Sequence, residues 1–252
     1  MYISSINNEF IKETAKLKDK KYRDLTNAFL IEGEHLVKEA KKNNIIKTII
    51  VLEDFEYETE LEKITVTKDV MKKLSDNPSI PRIMAIVEKK ECTRIGNKVI
   101  ILDRLQDPGN LGTIIRSAVA FDFDTLVLSD DTVDLYNPKV IRSTQGMLFN
   151  INIKRTNIKE TIEKLKEKDY LILGTSVDGG TNVKDYSVNK KFALIIGNEG
   201  QGISKEILEL CEDYLYIEMV NKCESLNAGV AASILMYELG GKNEVHQDWY
   251  NS

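Results

Sequence analysis

LDRLQDPGNLGTIIRSAVAF, residues 102–121, joins an apolar strand, a polar turn at Pro108 and Gly109, and a helix that brings one arginine, Arg116, among apolar and small residues. Two later segments share that design: LIIGNEGQGIS (194–204) and YIEMVNKCESLNAGVAAS (216–233). Each is a hydrophobic strand emptying into a loop of Gly, Asn, Glu or Ser, and each continues into a helix. In open α/β sheets, ligands sit in crevices beyond the carboxyl ends of strands. Three such loops in one chain predict a built site.

Around these loops, strands and helices alternate from Lys98 onward, as in a mostly parallel sheet covered on both faces. The expected strands are VIILDRL, TLVLSD, FNINI, YLILGTSV, FALIIGN and YLYIEM, with helices near 111–121, 138–146, 158–168, 204–211 and 227–239. Asn137 followed by Pro138 is a good helix start, a capping side chain and then a residue that needs no amide partner. The preceding part reads as a separate α/β unit. It has a helix over 8–20, the strand FLIEG (29–33), a helix over 35–42, the strands TIIVLED and KITVT, a short helix DVMKKLS and a closing strand RIMAIVEKK. Polar, glycine-containing ECTRIGN (91–97) marks the boundary.

The 252 residues suffice for one large domain or two smaller ones with a sizeable core. No apolar run approaches the roughly 20 residues needed to cross a bilayer. The N-terminus MYISSINNEFIKE lacks a hydrophobic signal core, so export is not expected. Cys92, Cys211 and Cys223 are widely spaced without a CxxC pair, and the histidines are only His35 and His246. Neither a disulfide framework nor a metal centre is predicted. The net charge of −5 does not advertise nucleic-acid binding, but phosphate contact depends on local patches. Lys12, Lys16 and Lys20 recur at helical spacing with Arg23 three residues later. That face is either solvated, balanced by Glu9, Glu13, Asp19 and Asp24, or a contact for RNA.

The loops narrow the chemistry. Asn110 is expected at a helix N-cap. Arg116, flanked by Ile114, Ile115, Ala118 and Val119, needs anionic or carbonyl partners if buried, either a nearby carboxylate or a substrate. Gly197, Gly200 and Gly202 let backbone approach a ligand or another loop closely. Their pattern is neither GxGxxG nor a phosphate loop, so a dinucleotide or nucleoside triphosphate is not indicated. Glu199 could contact a cation, accept a hydroxyl or hold its loop together. Ser225 and Asn227 are natural caps for the small-residue helix that follows, and no histidine nearby would complete a hydrolase triad.

Together these segments resemble the three motifs of the SpoU (TrmH) family of RNA ribose 2′-O-methyltransferases, in the SPOUT superfamily. DPGNLGTIIRSAVAF is similar to the first, IIGNEGQGIS to the second and IEMVNKCESLNAGVAASILMYE to the third, and the likeness covers residues 98–240. FLIEGEHLVKEA (29–40) resembles the L30-like α/β domain that binds substrate in many members. The resemblance implies an α/β chain with an RNA-binding domain over 1–95 and a SPOUT methyltransferase domain over 96–252. Its sheet would be closed by a C-terminal trefoil knot, which general topology rules would reject. It also implies a homodimer, S-adenosylmethionine as cofactor, no metal, no membrane and a cytoplasmic location. The substrate would be structured RNA, with 23S ribosomal RNA ahead of transfer RNA. A non-catalytic RNA-binding or ribosome assembly factor is the competing reading, and an enzyme acting on a small nucleotide is a weaker one.

By motif position the resemblance implies that Gly197, Ile217 and Leu226 line the cofactor pocket, with Thr175, Ser176, Asn198, Met219 and Asn227 helping to enclose it. The family's essential positions fall on Asn110, Arg116, Glu199, Ser225 and Asn227. Arg116 would activate the ribose hydroxyl, and a guanidinium, always protonated, does so by gripping phosphate and favouring the developing alkoxide. Ser225 and Glu199 would orient the ribose or the pocket wall. Lys12, Lys16, Lys20, Arg23 and Arg142 complete the expected RNA contacts. Glu218 stands where proline is common and Asp122-Phe123 where glycine is, but neither removes a catalytic residue.

Overall fold

The computed structural model describes residues 1–240 apart from 91, 93, 177, 178, 221 and 223, so Cys223, His246 and the tail after Gly240 lie outside the described residues. The chain divides into two compact units. The first comprises Met1–Cys92, Asp107–Arg116 and Val133–Asn150, and the second Thr93–Gln106, Ser117–Thr132 and the described residues from Ile151 onward.

In the first unit, β1 (Tyr2–Ile3), β2 (Ala28–Glu32), β3 (Ile46–Leu52), β4 (Lys63–Val66) and β5 (Ile83–Glu88) form a mixed sheet in the order β1-β4-β3-β5-β2. FLIEG, TIIVLED, KITVT and RIMAIVEKK each hold a strand, as their β-branched runs predict. The two-residue β1 is too short for periodicity to announce. Helices α1 (Glu9–Lys16), α2 (Lys20–Thr26), α3 (Glu34–Lys42) and α4 (Lys68–Leu74) accompany the sheet. Ile11 of α1 and Val70, Met71 and Leu74 of α4 share a buried core with Ile50, Ile64 and Met84.

The single helix expected over 8–20 is in fact two. Asp19 accepts the Lys21 amide at 2.9 Å and caps α2, so the backbone turns there and the lysine stripe is cut between Lys16 and Lys20. Arg23 does not share the exposure of Lys12 and Lys20. It is 4% exposed. It donates to the carbonyls of Leu17 and Lys18 at 2.8 and 2.6 Å and pairs with Asp134. Buried charge requires such partners.

Helix α5 (Pro108–Ala120) starts two residues before Asn110. The Asp107 carboxylate accepts the Asn110 amide at 2.8 Å, and the Asp107 carbonyl accepts the Leu111 amide at 3.1 Å. Asp107 therefore caps the helix, Pro108 takes the first turn, where no amide is needed, and Asn110 lies inside it. Helix α6 (Pro138–Thr144) begins as the Asn-Pro pair predicts, with Asn137 accepting the Lys139 amide at 2.9 Å.

The second unit holds β6 (Lys98–Leu102), β7 (Thr125–Leu128), β8 (Asn152–Arg155), β9 (Leu171–Thr175), β10 (Thr181–Asn182), β11 (Phe192–Ile196) and β12 (Asp213–Tyr216). They are parallel throughout, in the order β10-β12-β9-β11-β6-β7-β8. Ile100, Ile101, Leu126, Val127, Leu173, Leu194 and Ile195 are fully buried, which explains why the central strands read as continuous apolar runs rather than alternating ones. FNINI yields a strand only from Asn152, because Phe149 and Asn150 close a 3-10 turn. Helices α7 (Ile158–Lys166), α8 (Lys205–Leu208) and α9 (Ala228–Leu239) complete this unit. The small residues of α9 permit close approach to the end of α5: Ser233 and Ser117 hydroxyls meet at 2.7 Å. Farther along, the Tyr237 ring stands edge-on to Phe121, and Lys98 Nζ donates to the Gly240 carbonyl at 2.5 Å.

Candidate functional site

Strands β6 and β11 run in register, Phe192 opposite Lys98 through Ile196 opposite Leu102, so the loops that follow them emerge side by side. Asp103, 2% exposed, ties the two together. Its carboxylate accepts the Ser204 amide at 2.7 Å and Arg104 Nε at 3.1 Å. Arg104 sits at φ 59°, a conformation costly for a residue with a Cβ, and is held there by its amide bonded to Ser129 Oγ at 2.9 Å. Its carbonyl accepts Asn198 Nδ2 at 2.9 Å, and its guanidinium donates to Gln201 Oε1 at 3.1 Å. Neither Asp103 nor Arg104 is marked as a site residue by any motif. The only cue is their place at the end of the apolar run VIIL.

The β11 loop also closes on itself. Asn198 and Gly202 exchange amide-to-carbonyl bonds of 3.0 and 2.9 Å, and Asn198 Oδ1 accepts the amides of Gly200 and Gln201. Gly202 takes φ 67°. A side chain at Gly197 would place its Cβ 2.1 Å from the Gly202 carbonyl carbon, so that position admits only glycine. Glu199 accepts the Gln106 amide through both carboxylate oxygens, at 3.1 and 3.3 Å.

A cavity of about 580 Å³ opens among the loops after β9, β11 and β12. It is within the range usual for small-molecule sites. Thr175, Ser176, Gly197, Asn198, Ile217, Met219 and Leu226 line it, as do Glu199 and Ser225. Residues singled out in separate stretches of sequence thus meet in one place. Asn227 is not in the lining. Its Oδ1 accepts the Gly229 and Val230 amides at 3.0 and 3.2 Å, capping α9. Ala228, Ala231 and Leu235, within the third motif, and Leu215, outside the motifs, add apolar wall that no expected cofactor contact included. The only charged groups in the described lining are Glu199 and Glu224; no lysine or arginine contributes. Such a surface is unsuited to a phosphate-bearing ligand and suits an apolar-bodied cation.

Asn110 and Arg116 belong to the first unit. Asn110 is 6% exposed. Arg116 is exposed, while Ile114, Ile115 and Ala118 beside it are fully buried. Of the two alternatives for Arg116, a carboxylate partner is not found: its guanidinium lies on the open face of α5 and makes no ion pair among the described residues. Lys12 and Lys20 are exposed, and Lys16 pairs with Glu13 at 2.6 Å. Glu218 is exposed and accepts Asn182 Nδ2 at 3.4 Å. His35 Nε2 lies 3.1 Å from the Gln145 carbonyl. Among the described residues no group of three or more His, Cys, Asp or Glu could hold a metal ion, and no helix is long and apolar enough to cross a membrane.

Comparison with known proteins places these features in company. Residues 97–237 match the profile of the SpoU rRNA Methylase family, and residues 8–85 that of the MRM3-like substrate binding domain. The chain is 38% identical over 245 residues to the 23S rRNA (guanosine(2553)-2′-O)-methyltransferase RlmP of Bacillus subtilis, covering 95% of this chain and 99% of that one. Among solved structures it is similar to the SpoU methyltransferase AviRb from Streptomyces viridochromogenes in complex with AdoMet, with TM-score 0.82, 26% identity and coverage of 92% and 97%. An AdoMet-bound rRNA methyltransferase from Sinorhizobium meliloti aligns with TM-score 0.84, 26% identity and coverage of 94% and 96%.

Proposed function

The chain belongs to the SpoU rRNA methylase family, and from that premise we propose that it transfers a methyl group from S-adenosylmethionine to the 2′-hydroxyl of a ribose in 23S ribosomal RNA. The observation that carries this reading is the cavity at the strand ends. It is apolar in body, carries carboxylates and, among the described residues, no basic side chain, and is bounded by the very loops the motif residues occupy. An adenosine bearing a sulfonium fits that chemistry, and a nucleotide polyphosphate does not. When bound, S-adenosylmethionine supplies an already activated methyl.

The residues of this chain then have to bind, orient and stabilise. Gly197, Ile217, Leu226, Met219, Thr175, Ser176 and Asn198 would hold the cofactor, and Glu199 and Ser225 would set the wall against which the ribose is positioned. Asn227 acts through the α9 cap. A guanidinium has donors and no acceptor, so the contribution of Arg116 is to hold RNA phosphate and lower the energy of the developing alkoxide. Asn110 would steady the start of the helix that carries Arg116. Lys12, Lys16, Lys20 and Arg142 would meet the RNA backbone.

The likeness to the Bacillus subtilis enzyme extends over nearly the whole of both chains, which favours the same nucleotide, the guanosine its name gives, as the target here. Residues 1–95 would bind substrate and 96–252 carry out transfer, a division supported by separate sheets on either side of residue 95 and by the two profile matches. A trefoil-knotted C-terminus is supported by the path of α9, which leaves strand β12 near one sheet edge and reaches α5 through Ser233 and Ser117. A homodimer is supported by the exposed Val230 and Tyr237 on that helix. A cytoplasmic location goes with a ribosomal RNA substrate.

The test is incubation with S-adenosylmethionine and transcribed 23S rRNA, followed by mapping of 2′-O-methyl groups. One new methyl at the guanosine corresponding to 2553 is expected. Modification of transfer RNA alone, or cofactor binding with no RNA methylated, would refute the assignment.

A further inference from the structure

Residues 133–150 are pinned at two points to the elements that precede them in the first unit. At one, Arg23 pairs with Asp134, and the Tyr136 ring lies 4.5 Å from Phe29 and under Lys89 Nζ. At the other, His35 meets the Gln145 carbonyl. Helix α6 is suspended between them. It packs on the first half of α5 so tightly that a Cβ on Gly112 would stand 2.2 Å from Ser143 Cβ. Gly112 and Arg116 are four residues apart and share a face of α5, as Lys139 and Ser143 share a face of α6.

This packing brings Arg116, Lys139 and Arg142 to one helix pair, and none of them makes an ion pair with a carboxylate among the described residues. Lys139 is exposed. Arg142 is half-buried, and its Nη1 is covered without a hydrogen-bond partner. An arginine donor removed from water and left unanswered is costly, and native proteins keep such groups for a reason. Its planar fork is matched by a phosphate with two oxygens.

We propose that Lys139 and Arg142 of α6 form a clamp for backbone phosphates of the RNA, beside Arg116, so that α6 is a substrate-gripping element rather than a mere spacer. This rests on the RNA methyltransferase reading and adds to it the element that holds the nucleotide chain. The rigid anchoring of α6 through Arg23 and His35 would hold the clamp in place.

The test is the salt dependence of binding to transcribed 23S rRNA for the wild-type protein, Lys139→Gln, Arg142→Gln and the double variant, with thermal unfolding and S-adenosylmethionine calorimetry as controls on the fold. Removing either cation from its phosphate should reduce the slope of log K against log salt by about 0.7–0.9 and weaken binding several-fold at low salt. Lys139 is exposed, so its variant carries the test if Arg142→Gln fails to fold. Slopes equal to wild type would overturn the clamp while leaving the methyltransferase reading intact. A wild-type protein that binds S-adenosylmethionine but no RNA would overturn both.

Discussion

Glu199 holds the Gln106 backbone amide between its two carboxylate oxygens, at 3.1 and 3.3 Å. A charge in the second loop thus sets the height of the first, just before Asp107 opens α5. Replacing Glu199 with Ala should lower stability by about 1 kcal/mol, the scale of a solvent-accessible hydrogen bond, but should cut methyl transfer at least tenfold. Glu199→Gln, which keeps an acceptor, should fall between. Urea unfolding and single-turnover methylation separate the two effects; full turnover in both variants would take Glu199 out of the site.

Gly197→Ala should collapse the cofactor loop. The added methyl meets backbone atoms of Gly202 and Ile203 at 2.1 and 2.2 Å, and backbone cannot swing aside as a side chain can. A cost of about 1–3 kcal/mol is expected from overpacking alone. Calorimetry should show S-adenosylmethionine binding weakened more than tenfold, while Gly200→Ala, with only Asn198 Oδ1 nearby at 3.8 Å, should be far milder.

Arg116→Ala should leave cofactor binding and the melting temperature near wild type, because the side chain is exposed and unpaired among the described residues. Methylation should fall by about 100-fold or more if it stabilises developing charge in the transition state. Near-normal methylation would eliminate the catalytic assignment.

Arg23→Ala should be the most destabilising single change among the cations of the first unit. It strips a partner from Asp134 and frees the Leu17 and Lys18 carbonyls. A loss of about 3 kcal/mol is expected for breaking a buried pair of which Asp134 keeps some solvent. Denaturant unfolding of Arg23→Ala, Asp134→Asn and the double variant would show strong coupling between the two; additive losses would contradict it.

Burial, then the negative charges of Asp134 and Asp24, push the Tyr136 phenol up to about 12. The folded state therefore keeps a proton that the unfolded chain releases near pH 10. Stability from this group is complete below pH 10 and drains away as pH climbs toward 12. Between pH 9 and 11 wild type should lose about 1 kcal/mol more than Tyr136→Phe in urea titrations. Equal losses would show that the phenol does not report this environment.

The parallel sheet was legible because its strands are continuous runs of Val, Ile and Leu ended by Gly, Asn or Asp, and the resemblance to the three SpoU motifs picked out residues that the cavity at those ends brings together. Four things were not legible. Asp19 caps α2 from within a lysine-rich segment whose helical spacing continues unbroken through it. Arg23 shares the periodicity of Lys12 and Lys16, and only the tertiary partner Asp134, more than a hundred residues away, reveals it as core. Asp107 and Asn110 are both suitable caps, and the choice between them depends on Pro108 lying within the first turn. Exposure of Arg116 likewise reflects which side of α5 meets the core, and its apolar sequence neighbours do not determine that.

The bridge between Asn198 and Gly202, with the Asn198 side chain turned back into its own loop, has a kinetic corollary. This part of the pocket rim acquires its shape during folding, so no ordering of it is deferred until a ligand arrives. Association should then be a single fast step whose rate follows diffusion, and the heat capacity change should reflect only the apolar surface the ligand covers. Loosening the bridge would convert the same encounter into a slower, two-phase event.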